Sequence, residues 1–532
     1  VGVLTRSEID RAVHHGLLSS PVESLMHKGD ISVGPNDSVE HLQEVMMQNG
    51  LGQVPVVDGG EIQGIVTRTD LIKLWSAPPQ PTGVPEIRSL LAEALPPDLE
   101  SFLRKAGRVA KRRGHNLYLV GGFVRDLLLG VPNLDIDLVV EGDAIQLAEA
   151  MAQVAGGRVH GHPPFGTAKL IWEGDSPIAP LRSLDFVTAR TEFYEHPTAL
   201  PQVERSAIKQ DLHRRDFTIN TLAISLEEDR YGELLDFYGG EADLARGLIR
   251  VLHNLSLVED PTRILRAVRL EKRLGFRIEE RTEELIGGAL EFLDRVSGER
   301  IRQELEAIFS EEDPTAPLAR LQELAVLTRI HPAMRLDPER SLWIAGLRER
   351  WRSWTEMDCR GGTGGPLPRY LYLGILALGA SPEQADGIGV RLGLRVGERQ
   401  VLRDAEQLRR SSHTLTTEGL GPAQLRDRLD DYRRKALFLV WATASPSDAL
   451  ARRLAGYHGD LACVSAELTG EDLKSLGIPP GPVFREILKA LRDARLDGSV
   501  RTRKEELELA RRLATAREGG SSPAGSGAAG PA

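Results

Sequence analysis

Gly121-Gly122-Phe123-Val124-Arg125-Asp126, followed nine residues after Asp126 by Asp135-Ile136-Asp137, is the stretch whose reading decides the fold. The apolar run Leu117–Gly121 predicts a short buried strand, and Val124–Leu129 predicts a helix that Gly130 ends. Glycines at a strand-to-helix turn let backbone N–H groups approach phosphates with no Cβ in the way. Arg125 adds a charge-assisted donor for a triphosphate. Residues 135–140 predict a second strand. Its period of two puts Asp135 and Asp137 on one face and Ile136 in the core. Two carboxylates that close repel unless a cation lies between them. Mg²⁺ suits them: it takes hard oxygen ligands, few of them from protein, and fills its shell with phosphate and water. The stretch therefore predicts a nucleoside triphosphate site with Asp135 and Asp137 as catalytic metal ligands. A lone Asp-x-Asp reads as a solvated strand edge and a lone Gly-Gly as a turn; their order gives the signal its specificity.

Residues 86–114 on the N-terminal side read as helical, ending in Lys111-Arg112-Arg113-Gly114, where basic residues favour a helix C-terminus. On the C-terminal side, 144–155 reads as a helix, and Lys169–Trp172 and Ser183–Ala189 as strands. Asp185 faces opposite Leu184 and Phe186 and is a candidate third carboxylate. In Arg214-Arg215-Asp216-Phe217-Thr218-Ile219-Asn220, Asp216 and Asn220 can hydrogen-bond a ribose 2′-OH and Arg215 can donate to phosphate. The local alternative is a helix start capped by Asp216.

Glu259-Asp260-Pro261-Thr262-Arg263-Ile264-Leu265-Arg266 predicts a helix opening with Asp260 as N-cap and Pro261 at the first helical position. Asp260 and Arg263, three apart, reach one side and set an acceptor beside a donor fork. Cytosine and adenine both present an amino donor beside a ring acceptor, which matches this pair. Uracil and guanine reverse the pattern and would leave buried polar groups mispaired, a discrimination of about 10⁴. From about residue 241 strands give way to helical periodicity, over 263–276, 280–295, 299–310, 316–326, 369–379, 399–410, 422–454 and 504–517. Arginine pairs at 409–410, 433–434, 452–453 and 511–512 are candidates for tracking a nucleic-acid backbone by phosphate contact.

The 532 residues are too many for one core, and 41% hydrophobic with 27% charged composition is that of a globular chain. A net charge of −10 requires any nucleic-acid site to be a local patch. No apolar run is long enough for a bilayer. Cys359 and Cys463 cannot form a disulfide framework or a metal knuckle, so a reducing cytoplasm is the expected setting. The first residue is Val, which suggests a fragment.

Residues 1–76 repeat an apolar strand that runs into a Thr-x-x-acid helix start, once at Val3-Leu4-Thr5 with Glu8 and again at Ile65-Val66-Thr67 with Asp70. The second copy runs from about 21 to 75 and the first is cut short. This resembles the CBS domain. The resemblance implies an adenosine-nucleotide ligand contacted by Thr67 and Asp70, and pairing of two chains through these modules; the bland reading is that both residues cap a helix.

The central motifs resemble the class II tRNA nucleotidyltransferases and bacterial poly(A) polymerases, from about Asn116 to at least Leu305. That resemblance implies an α/β plus all-α organisation: an N-terminal CBS α/β module (1–76), a Pro-rich linker (77–97), a polymerase β-like mixed-sheet nucleotidyltransferase head (98–240), a helical neck (241–312), a helical body and tail binding tRNA (313–515) and a disordered tail (516–532). It implies contacts to nucleotide from Gly121, Gly122, Arg125, Arg215, Asp216, Asn220, Asp260, Arg263 and Arg266. It also implies Mg²⁺ as cofactor, ATP and CTP as substrates, and the tRNA 3′ end as acceptor, with addition of CCA or its terminal A. Glu192–Val203 resembles the family's flexible loop. Gly298-Glu299-Arg300-Ile301 resembles its last motif, with Glu299 and Arg300 bracing the neck. A poly(A) polymerase, or an inactive CBS-linked nucleotide sensor that binds RNA, are the alternatives.

Overall fold

Apolar residues on short strands around the Gly-Gly turn build a seven-stranded mixed sheet. Its strands are β1 (Asn116–Val120), β2 (Asp137–Glu141), β3 (Arg158–His162), β4 (Thr167–Ile171), β5 (Ser183–Thr188), β6 (Ala223–Ser225) and β7 (Leu234–Leu235), in the order β7-β6-β1-β2-β5-β4-β3. β1 lies between two antiparallel neighbours and β2 runs parallel to β5. Leu117, Leu119 and Val120 on β1 and Leu138 and Val140 on β2 have no exposed surface, as expected of strands covered on both faces. Helix α1 (Pro97–Arg112) packs against β1, burying Leu99, Phe102, Leu103, Ala106 and Ala110 along one stripe. Helix α2 (Gly122–Leu128) leaves the end of β1, and α3 (Ala144–Ala155) packs on β3, β4 and β5 after Asp143 caps it by accepting from Gln146 N at 3.0 Å.

This computed structural model describes residues 2–4, 9, 21–28, 31–48, 51–67, 70, 84–193, 202–361, 364–445 and 447–518. The chain divides into two units, Val1–Ser89 with Gly232–Leu234, and the remainder. In the first, a hairpin of Gln53–Asp58 and Glu61–Thr67 packs with helix Val39–Gln48 around Val33, Leu42, Met46, Leu51 and Val54. Thr5 and Glu8, in the truncated first repeat, lie outside the described residues.

Beyond the sheet, helix α4 (Ile208–His213) leads to the Arg214–Asn220 segment, and α5 (Gly240–Arg246) and α6 (Ser256–Glu259) precede α7 (Thr262–Leu274). Strands do not stop at 241 as the sequence suggested: Leu248–Ile249 pairs in parallel with Arg277–Ile278. Two residues per strand are too few for periodicity to register. The predicted single helical stretch 422–454 is three helices, Pro422–Leu429, Arg434–Thr443 and Ala449–Gly459. Three helices that periodicity passed over, Pro338–Glu356, Pro382–Arg391 and Pro482–Leu496, each open on proline.

Helix α8 (Gly298–Ser310) starts hard against the segment after Pro382–Arg391; a Cβ at Gly298 would lie 1.9 Å from the Arg391 carbonyl oxygen. Arg391 returns the contact, donating to Val296 O at 3.1 Å and Leu293 O at 2.7 Å. Further on, Trp354 stacks on buried His458 at 3.9 Å between centroids. Five residues beyond each member of that stack in sequence, Cys359 and Cys463 are joined in a disulfide, Cα atoms 6.1 Å apart. Composition placed these two cysteines in a reducing setting; a separation of 104 residues gave no sign of their approach. The last helices, including Gly470–Ser475, Pro482–Leu496 and Arg503–Glu518, enclose their own small core of Leu468, Leu473, Ile478, Ile487, Leu491 and Ala510. Among the described residues no helix is long and apolar enough to cross a membrane.

Candidate active site

Strand register gathers the site. Val120, the last residue of β1, pairs with Asp137, the first of β2, so the glycine turn begins beside that carboxylate. On the other side of β2, Asp185 of β5 is Asp137's register partner. Ile136 is buried while Asp135 and Asp137 are exposed, which is the alternation expected of the motif. The strand itself starts two residues later than a paired-face reading needs: Asp135 precedes it. Asp135 is fixed instead by Asn133, whose Oδ1 accepts from Asp135 N at 2.8 Å and whose Nδ2 donates to Asp126 Oδ2 at 2.7 Å. Asn133 was not among the sequence candidates; its place two residues before the motif was the available signal.

The surroundings of Asp137 oppose one another. Crowding by protein raises its pKa, Arg215 draws it down, and Asp135 and Asp185 push it up again. Lys169, opposite Asp185 in register, holds Asp185 at 3.0 Å. Among the described residues no three or more His, Cys, Asp or Glu side chains converge to hold an ion unaided. Two open carboxylates with a third beside them are an all-oxygen donor set, incomplete without outside oxygens. That suits a hard divalent cation completed by phosphate and water.

Gly121 has φ 72°, and a Cβ there would lie 2.8 Å from Arg215 Nη1, so the turn needs glycine for its backbone and for its neighbour. Arg215 is anchored from behind by Asp211 at 3.2 Å, and Asp211 also takes Arg214 at 2.7 Å. Burial alone would raise the pKa of Asp211; Arg215 and Arg214 hold it below the usual carboxylate range. Asp211 was not foreseen, although it stands one helical turn before both arginines.

Arg125 departs from the expected role. It is 4% exposed and committed inward, donating from Nε to Asp126 Oδ1 at 2.8 Å and from Nη1 to Asn220 Oδ1 at 2.8 Å. Its guanidinium fixes the ribose-candidate segment, and Arg215 takes the position over the glycines. Asn220 Nδ2 donates to Asp216 Oδ1 at 2.9 Å, and Arg266 Nη1 donates to Asp216 Oδ2 at 3.1 Å. Burial pushes Asp216 up, but Arg266, Asn220 and Arg263 together hold it below the usual range.

Helix α7 begins at Thr262 with Pro261 as cap, one residue later than predicted, because Pro261 takes helical φ/ψ without closing the first turn. Asp260 Oδ1 still caps it, accepting from Thr262 N at 3.1 Å and Thr262 Oγ1 at 2.6 Å, and also receives Arg300 at 2.8 Å. Asp260 Oδ2 has no hydrogen-bond partner among the described residues and is free to accept. Arg263, 5% exposed, donates to Ser256 Oγ and, at 2.9 Å, to Arg214 O. Glu299, expected as a brace beside Arg300, is 69% exposed and only approaches Arg302.

Strands Arg190–Phe193 and Gln202–Arg205 form an antiparallel hairpin at the predicted flexible loop; Pro197 and Pro201 lie outside the described residues. In the N-terminal unit, Asp70 Oδ2 accepts from Thr67 N at 3.0 Å and Thr67 Oγ1 at 2.7 Å, while Asp70 N donates back to Thr67 Oγ1 at 3.2 Å. That reciprocal pairing is the bonding pattern of a capping box. Of the arginine pairs, 409–410, 433–434 and 452–453 are engaged inside the protein, for example Arg433 on Asp404 and Arg434 on Asp358, both at 2.9 Å. Arg511 and Arg512 are exposed and carry no ion pair among the described residues.

Comparison with known proteins matches residues 117–250 to the poly A polymerase head domain, 22–77 to the CBS domain, and 275–336 to the probable RNA and SrmB-binding site of polymerase A. The chain is 37% identical to the A-adding tRNA nucleotidyltransferase of Geobacter sulfurreducens over 96% of its own length and 60% of that protein's. It is 33% identical to the A-adding tRNA nucleotidyltransferase of Halalkalibacterium halodurans over 79% of this chain and 94% of that one. Among solved structures, the Thermotoga maritima CCA-adding enzyme complexed with tRNA superposes with a TM-score of 0.63 at 32% identity, covering 80% of this chain and 97% of that one. The strands that set Asp137 beside Asp185 and the glycine turn lie within the matched head segment, the Asp260 helix opening falls between the two matched polymerase segments, and the chain belongs to the tRNA nucleotidyltransferase family.

Proposed function

We propose that this chain adds nucleotides to the 3′ end of tRNA from ATP and CTP without a nucleic-acid template, with the terminal A as the favoured product. The observation that carries the reading is the register that sets Asp137 beside Asp185 and against the Gly121 turn, under Arg215. The terminal 3′-oxygen attacks the α-phosphorus, the bond to the bridging oxygen breaks, and pyrophosphate leaves. Divalent ions, Mg²⁺ above all, held by Asp135 and Asp137 would neutralise charge on the triphosphate and favour ionisation of the attacking hydroxyl.

The chain's own residues do the positioning. Gly121 and Gly122 open the backbone to phosphate, and Arg215 supplies a cation across the turn, kept in place by Asp211. Arg125 acts from below, holding Asn220 and so the Asp216 pair toward the ribose. Asp260 Oδ2 accepts from the amino group of adenine or cytosine. Arg263 supplies the donor for the ring nitrogen from the N–H groups that Ser256 and Arg214 O leave unused. The A-adding relatives favour terminal A addition. For tRNA contact, the free arginines 511 and 512 are the stronger candidates, since the other pairs are used as internal braces. At the CBS module, Thr67 and Asp70 are the proposed contacts for an adenosine nucleotide, and pairing of two chains through it belongs to the same proposal.

The test offers tRNAs ending before CCA, after C and after CC, each with one nucleoside triphosphate and Mg²⁺. A single A on the CC end, with no C on any, is expected. CTP incorporation followed by A would make it a complete CCA-adding enzyme. Long A tracts on unrelated RNA would overturn the tRNA assignment in favour of a poly(A) polymerase, and no incorporation at all would favour a nucleotide sensor.

A further inference from the structure

Helix α8 places Arg300 and Glu304 four residues apart, hence on one face and one turn from each other. That face meets the opening of α7 with opposite charges in order. Arg300 reaches Asp260 at 2.8 Å, and Glu304 Oε1 reaches Arg266 Nη2 at 2.7 Å, with Arg266 Nε at 3.3 Å. Glu304 is 13% exposed, and its second oxygen lies 3.8 Å from Arg269. Arg266 spends its remaining end on Asp216, and Asp216 holds Asn220. Burial opposes the charge on Arg266, yet Asp216 and Glu304 together raise its pKa. A neutral group at 304 would leave Arg266 with one counter-charge where it now has two. Arg266 would then be free to swing on Asp216.

We infer that Glu304 is a positioning residue for nucleotide choice: it fixes Arg266, and through Arg266 the Asp216–Asn220 pair, at a set distance from Asp260. The inference rests on the nucleotidyl-transfer reading above. Its anchor is stiff, because α8 is docked at Gly298 against the Arg391 carbonyl and Arg302 donates to Gly393 O at 2.6 Å. A rigid helix holding both the base-reading and the ribose-reading residues by their charged ends keeps the two sub-sites in mutual register. A structural ion pair with no such role would affect folding only.

The experiment uses the full chain, tRNA ending in CC, Mg²⁺ and each of the four triphosphates, at a temperature where every variant is more than nine-tenths folded by circular dichroism. If the wild-type chain incorporates nothing, the functional reading fails and Glu304 is not at issue. With an active wild type, Glu304→Gln is expected to raise KM for ATP about tenfold, with kcat changed less than about threefold, and to lower the preference for ATP over GTP and UTP by about 10- to 100-fold. Glu306→Gln on the same helix, whose carboxylate lies only 3.6 Å from Arg302, is expected to behave as wild type. Arg266→Ala combined with Glu304→Gln is expected to be no worse than Arg266→Ala alone. Wild-type KM and selectivity in Glu304→Gln would overturn the inference, and so would full additivity in the double variant.

Discussion

Asp185 occupies the register position directly beside Asp137 on a parallel strand, with Lys169 paired to it at 3.0 Å. The two carboxylates differ in their company: Lys169 neutralises one, while Arg215 faces the other across the glycine turn. Asp137→Asn is therefore expected to lower single-nucleotide incorporation by about 10³-fold or more. Asp185→Asn, acting beside the ligands, is expected to lower it about 10- to 100-fold. Incorporation assays with Mg²⁺ titrations check both; equal losses would mean that Asp185 is itself a ligand of the same rank.

Gly121→Ala joins a left-handed backbone to a collision with Arg215. The backbone cost is about 1–2 kcal/mol, read as a lower melting temperature. The displaced guanidinium should raise KM for ATP more than it lowers kcat. A variant that melts early with unchanged KM would remove Arg215 from the triphosphate site.

Asp260→Asn tests base selection without changing shape. An amide at this position can turn a donor toward the base, so selection against UTP and GTP should fall by about 10²-fold or more. Parallel single-nucleotide assays on CC-ending tRNA give the ratio. Unchanged ratios would place base reading elsewhere.

Acid should destabilise the fold well above carboxylate pKa values. Burial, with His213 and Arg263 nearby, lowers His253 to about 4. Burial foremost also lowers His213, His331 and His458. Unfolded, these rings take up protons near pH 6.5, whereas folded they stay neutral to lower pH. Between pH 6.5 and 4 the unfolded state binds more protons, so stability falls as pH falls through that window. Melting temperature should be level above pH 7 and drop steadily from pH 6.5 to 5; a flat profile would contradict the burial of these rings.

At the CBS unit, Asp70→Ala removes the acceptor for the Thr67 N–H and hydroxyl, a loss of about 1 kcal/mol. Calorimetric titration of the full chain with AMP is expected to show binding that this variant weakens at least about tenfold. No heat from the unaltered chain would leave Thr67 and Asp70 as a helix cap alone.

The glycine turn, the Asp-x-Asp strand and the Asp260 helix opening were legible because each is local: turn, period and cap are written within a few residues. What the sequence withheld was contact at a distance. Arg125 looked like a phosphate ligand because nothing nearby said that Asn220 would claim its guanidinium. Arg215 stands over Gly121 only because α4 brings Asp211 behind it. Glu304 sits on a helix whose range was read to within a residue, yet Arg266, the partner it holds at 2.7 Å, is 38 positions away. Helix Pro338–Glu356 escaped notice for a different reason. Arg340, Arg348 and Arg350 turn inward to main-chain carbonyls, which blurs the boundary between its apolar and polar faces.

The bond between Cys359 and Cys463 makes a closed loop of the chain between them, and among the described residues that loop contains seven of the body helices, from Tyr370–Leu376 to Ala449–Gly459. A protease cut anywhere inside the loop would not part the molecule. The piece carrying the catalytic strands and the piece carrying Arg511 and Arg512 would migrate together on a gel until a thiol reductant released them.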